Sequence, residues 1–244
     1  MPKYFKNFGT VDYRFGDNEK PALFKNISQY VDLIDQVKSN VAFYQKYTII
    51  SGERPDTLSY ELYGTAEFYW TFYLMNDDIR ESGWPIPDYE LIDYAKKRWP
   101  HQVVTTEQIF ATEFPVGTTV TGQSSGATGT VLKRNLDLGQ MVIKESNGLQ
   151  FDKTEVIEHP QEDGGISTVR LVNAGKQYNA VHHYEDANGL FTDIDPHVDA
   201  SPSALTPITN LNRLERKNDN LKEIIVIEPD SISRVVSEFF KFMR

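Results

Sequence analysis

The spacing of apolar positions changes several times along the chain, and each change marks an element. Between Tyr47 and Pro87 the order is strand, helix, helix. Tyr47 to Ile50 is β-prone, Gly52 to Pro55 turns the chain, and Asp56 or Thr57 is placed to cap a short helix with Leu58 and Leu62 on one face. Gly64 has the backbone freedom to stop that helix. Thr65 then caps a second helix carrying Phe68, Tyr69, Trp70, Phe72, Tyr73 and Leu74. Asn76 and Asp77 close it, and Gly83-Trp84-Pro85-Ile86-Pro87 leaves it in extended form. Large apolar residues lie nearly all round the second helix. Such a helix is buried on several sides, by its own chain or by a partner.

Upstream, residues 1–26 are aromatic and turn-rich and predict an extended arm that cannot bury itself alone. From residue 27 the module changes: Ile27, Tyr30, Val31 and Ile34 recur at helical spacing, with Ser28 a start and Ser39-Asn40 a stop. After Pro87, Asp88 caps a third helix with Leu91, Ile92 and Ala95 as its buried stripe, ended by Trp99-Pro100. The helix-rich module spans 27–100.

The texture then becomes β. Short, alternating, β-branched segments from 102 to about 158, at roughly ten-residue spacing, predict a small antiparallel barrel of about five strands within an insert over 101–160. The glycine-rich piece from Gly122 to Gly129 lacks the lysine and the following helix of a phosphate-cradling loop, so it reads as a hairpin loop. Further strands fill 161–195, with a turn at Asn188-Gly189. Residues 196–210, with Pro196, Pro202 and Pro207, read as an extended linker. Residues 211–244 predict helix, strand, helix: Leu211, Leu214 and Leu221 on the first, a buried strand at IIVIEP, and a last helix capped by Asp230 or Ser231 with Ile232, Val235, Val236, Phe239 and Phe240 on one side. The expected fold is α+β and built of several parts.

Composition narrows the function. The 244 residues are 39% hydrophobic and 12% aromatic, enough for real cores. A net charge of −10 argues against general affinity for nucleic acid or anionic membrane. Lys96-Lys97-Arg98 sits at a helix end, where cations are ordinarily favoured. The chain has no cysteine, which excludes disulfides, thiolate catalysis and cysteine metal sites. Neither a signal-peptide core nor a run of about 18 apolar residues is present, so the expectation is a protein made and assembled in a cytoplasm.

The block from Gly52 to Ser59 (GERPDTLS), followed by Leu62-Tyr63-Gly64, Tyr69-Trp70, Asn76 and Trp84-Pro85, resembles the LysM-like baseplate wedge proteins of contractile-tailed bacteriophages. The likeness covers about Ile27 to Pro100, with a further trace in Ala180 to Asp186 and in the C-terminal segment. It implies a LysM-like helix–helix–strand module in 27–100 and a structural, non-enzymatic subunit of the virion tail. That subunit would join neighbouring wedge proteins of a sixfold baseplate during assembly in the host cytoplasm. The large insert after Pro100 departs from the pattern. The alternative is a peptidoglycan-binding LysM protein, against which stand the single module, the missing signal segment and the added Arg-Pro and Tyr-Trp signatures; glycan binding is not expected.

The residues expected to make protein contacts are Arg54, Pro55, Asp56, Tyr60, Tyr63, Tyr69, Trp70, Tyr73, Asn76 and Trp84. Tyrosine, tryptophan and arginine are over-represented among binding hot spots. Two duller readings stand beside this one. Arg54 and Asp56 could simply bridge each other across the turn, and about half of the aromatic helix could be core. His182 and His183 on a regular strand would point to opposite faces and could not hold one ion together. No residue pattern supports catalysis, and no cofactor or metal is expected.

Overall fold

A computed structural model describes residues 9–16, 20–25, 37–107, 113–161, 164–192 and 205–242. Most of the helix expected from Ser28 therefore lies outside the described residues, as does the linker up to residue 204. The fold is mixed α+β. Contacts divide the chain into one unit made of 1–88 with 217–244 and another made of 89–216.

In the first unit, β1 (Thr10–Tyr13) and β2 (Ala22–Lys25) form an antiparallel hairpin with Val11 opposite Phe24 and Tyr13 opposite Ala22. β3 (Tyr44–Thr48) leads into the motif region. There α1 (Pro55–Tyr63) is capped by Arg54 and so starts two or three residues earlier than a cap at Asp56 or Thr57 would give. Proline suits the first helical position because its missing N–H would be unpaired there and its φ is already helical. Arg54 is the extended residue before it, and Asp56 sits in the first turn, on the favourable side of the helix dipole. Gly64, at φ 70, ends α1 in the left-handed conformation, its N–H donating to the Tyr60 carbonyl.

The aromatic segment is not one helix. Thr65 accepts from the Glu67 N–H and caps a single 3-10 turn, Ala66–Phe68. Then come α2 (Trp70–Met75) and α3 (Asp77–Ser82), with extended Asn76 between them. The expected end at Asn76 is therefore the end of α2 alone, and α3 is an additional helix beyond it. α4 (Asp88–Arg98) ends where expected, before Trp99-Pro100, but includes Asp88, expected as its cap, and only Leu91 and Ala95 of its stripe are buried; Ile92 is 47% exposed.

In the second unit six strands close a barrel: β4 (Gln102–Thr106), β5 (Thr119–Gly122), β6 (Thr128–Asn135), β7 (Gln140–Glu145), β8 (Val156–Pro160) and β9 (Ile166–Lys176), in the order β4-β7-β6-β5-β8-β9. The expected five were short by β9, which pairs with both β4 and β8 and closes the ring. Ser167, Val169 and Leu171 alternate inward along it, as period-2 geometry requires. The interior holds Val104, Phe114, Val120, Val131, Met141, Ile143, Phe151 and Ile157. Closure leaves no unpaired edge.

β10 (Val181–Glu185), β11 (Phe191–Thr192) and β12 (Thr206–Thr209) form a three-stranded sheet with β10 in the middle. β12 lies within the stretch read as linker. Pro207 did not prevent pairing, because β12 is an edge strand there. Thr209 and Asn212 exchange side-chain and backbone hydrogen bonds and open α5 (Asn210–Lys222) with a reciprocal cap. The division between the units falls within α5.

The chain then returns to the first unit as β13 (Glu223–Ile227), antiparallel to β3, followed by α6 (Pro229–Phe242). β13 is buried on both faces. Ile224 and Val226 join Ile49, Leu58, Phe72, Ile79 and Leu221. Ile227 joins Val37, Trp70, Met75, Ile232, Val235, Val236 and Phe239 on the other side. A strand with two buried faces reads as a continuous apolar run, which is what IIVI is.

Candidate functional site

The motif residues divide into those that hold the module together and those left on its surface. Trp70 is 7% exposed, with its ring centroid 5.2 Å from Phe239 and 5.6 Å from Phe240. In this chain it is core, which fits the duller reading of the aromatic segment at this position. Tyr63 is half-buried, stacks on Phe72 at 6.0 Å, and donates its hydroxyl proton to the Ile227 carbonyl at 3.0 Å. Burial pushes its pKa well above the ordinary tyrosine range. Tyr69 is half-buried and touches both apolar clusters of the unit.

Asn76 has a specific task. Its Nδ2 donates to the Phe72 and Ile225 carbonyls, both at 2.8 Å, and its Oδ1 accepts from the Ile225 N–H at 2.8 Å. The side-chain amide thus offers β13 one donor and one acceptor, as a neighbouring strand would, while capping α2. Trp84 lies against Phe72 and Tyr73 at about 6 Å. It donates its indole N–H to the Glu53 carbonyl at 2.7 Å. Glu53 in turn accepts from the Tyr47 hydroxyl at 2.9 Å and from the Ile50 N–H. Burial first, and then the Glu53 carboxylate, raise Tyr47 to about 12. Tyr73 is half-buried and raised by burial as well. These residues lock the turn to the helices.

The residues that face outward lie along α1. Leu58 and Ser59 are buried and Leu62 and Tyr63 half-buried, whereas Thr57, Tyr60, Glu61 and Gly64 are exposed at helical spacing. Tyr60 is 65% exposed. Just ahead of it Arg54 donates from Nε and Nη2 to the two carboxylate oxygens of Asp56, each at 3.1 Å. The duller reading of that pair is therefore what is seen in the chain. The fork remains accessible, the Arg54 side chain being 75% exposed, and Pro55 is half-buried beneath it. The expected contact set is thus not one patch: Arg54, Asp56 and Tyr60 are presented, and the rest support them.

Two features escaped the sequence reading. Asn218 of α5, almost fully buried, accepts from the Ile86 N–H at 2.7 Å and donates to the Ile86 carbonyl at 2.9 Å, fixing the Trp84-to-Pro87 exit. Nothing nearby in sequence marks it, apart from an asparagine inside an amphipathic helix. In the barrel, the glycine-rich loop does cradle an anion, but one of its own. The buried Glu155 carboxylate accepts from the N–H groups of Ser124, Ser125 and Asp152 and from the Ser125 hydroxyl, at 2.7–3.1 Å. A side chain on Gly122 would collide with it.

His182 and His183 also differ from expectation. The register slips between Val181 and His183, a β-bulge, so the two rings meet instead of diverging, with Nδ1 atoms 3.0 Å apart. His183 Nε2 lies 3.2 Å from Glu185, whose carboxylate also accepts from Arg216 at 2.6 Å. That arginine contact, more than the histidine, holds Glu185 below the usual carboxylate range. Among the described residues no group of three or more histidine, aspartate or glutamate side chains is arranged to hold a metal ion.

The signature residues thus build the fold and leave a small polar–aromatic face exposed. Residues 5–111 match the family described as Base plate wedge protein 53. The resemblance to a phage baseplate wedge family is thereby shown for that part of the chain, and it supports a structural role in a phage baseplate and a place in the virion tail. No curated protein matches the chain. No helix among the described residues is long and apolar enough to cross a membrane.

Proposed function

We propose that this chain is a wedge subunit of a contractile-tail baseplate that joins neighbouring wedge proteins during assembly in the host cytoplasm, without catalysis. The family match over residues 5–111 carries the reading. The module, in this reading LysM-like, offers the outer face of α1 to a neighbour in a sixfold ring. Arg54, Asp56 and Tyr60 make the contact; the paired guanidinium and carboxylate give orientation more than affinity, and Tyr60 supplies apolar area.

The test is reconstitution of wedge complexes from purified baseplate subunits. The wild-type chain should co-sediment with them. The double variant Arg54→Glu/Tyr60→Ser should stay folded and bind at least about tenfold more weakly, since hot-spot truncations cost more than about 1 kcal/mol each. Wild-type chain that stays at the top of the gradient overturns the reading. Saturable binding to purified cell-wall glycan, with no wedge binding, would instead favour a peptidoglycan-binding module.

A further inference from the structure

The β1–β2 hairpin has no core of its own. Every described residue from Gly9 to Phe24 is exposed except Ala22, which is half-buried. None belongs to the buried clusters of the first unit. Yet the hairpin is strongly apolar. Tyr13, Phe15 and Phe24 meet edge-to-face, with centroids 5.2–6.5 Å apart and exposures of 56%, 71% and 44%. Val11, paired with Phe24, shares their face, and Leu23, 72% exposed, occupies the opposite one. Isolated two-stranded hairpins are marginal in water, and both outer edges of this one are unpaired in its sheet.

Size and charge say what kind of partner it suits. At about 200 Å² per ring, the exposed parts of the three aromatics amount to roughly 350 Å². Hairpin against hairpin would cover well under the about 800 Å² per partner of a stable interface. A groove that takes in both faces, Leu23 as well as the rings, comes closer. The arm is also cationic on an acidic chain. Residues 1–25 carry Lys3, Lys6, Arg14, Lys20 and Lys25 against Asp12, Asp17 and Glu19, whereas the whole chain has net charge −10.

We propose that the hairpin is a docking arm that seats Tyr13, Phe15, Phe24 and Leu23 in an apolar, acid-rimmed groove of another baseplate wedge subunit. This rests on the reading above and adds a second contact, separate from the face of α1. The rings supply the desolvated anchors, Arg14 and Lys20 meet the rim, and the free strand edges can add main-chain hydrogen bonds. A marginal hairpin gains its stability on binding, which makes the arm a late-locking element of assembly.

Full-length protein is compared with Tyr13→Ser/Phe15→Ser/Phe24→Ser and with Arg14→Glu/Lys20→Glu. The probe is a wedge subcomplex purified from cells co-expressing the phage's other wedge proteins, and binding is followed by interferometry. The aromatic variant should bind at least about 100-fold more weakly, with a circular dichroism spectrum and Tm matching wild type, because the rings touch no core. The charge variant should lose about tenfold, mainly in association rate, with a flatter salt dependence. If both variants bind like wild type, the arm is not a docking element and the wedge reading stands. If wild type itself does not bind, the wedge reading and the arm fall together. Arm-dependent self-association in sedimentation velocity, or arm-dependent flotation with phosphatidylglycerol-containing vesicles, would overturn the choice of partner in favour of a second copy or a lipid surface.

Discussion

Replacing Asn76 by alanine separates a clamp from a contact residue, because the two roles move different measurements. In the folded chain the amide side chain makes three hydrogen bonds of 2.8 Å to backbone, two of them to Ile225 of β13. Ile225 is partly buried on a strand whose neighbours Ile224 and Val226 are fully inside, so water replaces these partners poorly. Each bond is worth about 1 kcal/mol net, and a desolvated N–H and C=O left unpaired add about 1 kcal/mol more. Asn76→Ala should therefore destabilise the first unit by about 3–4 kcal/mol. Urea unfolding followed by tryptophan fluorescence reads this directly, since Trp70 and Trp84 both lie in that unit, and the m-value should not change. Asn76→Asp keeps the acceptor for the Ile225 N–H but turns a carboxylate toward two carbonyls. Its folded-state pKa should then lie above the unfolded value of about 3.9, so its deficit against wild type is largest at neutral pH and shrinks as the pH falls toward 4. A loss below 1 kcal/mol in Asn76→Ala, together with lost wedge binding, would refute the clamp and return Asn76 to the interface.

Other substitutions sort the same way. Trp70→Ala should cost about 3–5 kcal/mol in urea unfolding through a cavity beside Phe239 and Phe240. Tyr60→Ser and Arg54→Ala, both outward, should each shift stability by less than about 1 kcal/mol while weakening wedge binding. Glu155→Ala strands three loop N–H groups and should destabilise the barrel by about 3 kcal/mol; Gly122→Ala, which drives a methyl into that carboxylate, should also unfold at lower urea. Tyr47 should titrate near 12 by absorbance at 295 nm, and Tyr63 should not ionise before unfolding. Unfolded tyrosine ionises near 10, so the unfolded chain loses protons first. Stability should fall as the pH rises from about 10 through 12, and be unaffected by these groups below about 9.

What could be read from sequence was whatever local chemistry decides. The left-handed glycine at the end of α1, the Thr65 cap and the alternation of β9 each follow from a few adjacent residues, whereas Pro55 belongs to the helix and not to the turn before it. What could not be read was settled across long separations. Asn76 is legible as the stop of α2, but its clamp on β13 is not, because that partner, Ile225, is 149 residues away. The barrel was short by one strand because only closure tells β9 from the strands after it. The histidine rings were placed on opposite faces by a rule that a single bulged residue reverses. Glu155 was one acid among 35 until the loop closed round it. At the candidate site, aromatic identity was legible, but orientation was not. A six-residue α2 turns Trp70 inward and leaves Tyr60, on the other helix, outside.

That inversion bears on how the contacts should be sought. The residues that make the motif recognisable are chiefly those that cannot change without loosening the first unit: Asn76 on β13, Trp84 on the Glu53 turn, Tyr63 on Ile227. A family signature of this kind specifies a scaffold, and the proposed contacts fall on residues the scaffold leaves free. Here those are Arg54 and Tyr60 on one surface and the rings of the β1–β2 hairpin on another. If both surfaces bind, their effects should multiply: with the arm tethered to the same chain as α1, engagement of one makes the other intramolecular at an effective concentration in the millimolar range. The combined variant Tyr60→Ser/Tyr13→Ser/Phe15→Ser/Phe24→Ser should then lose wedge binding by close to the product of the separate losses. A combined loss no greater than that of the arm variant alone would mean that the α1 face is not a contact, and that the hairpin alone carries the attachment.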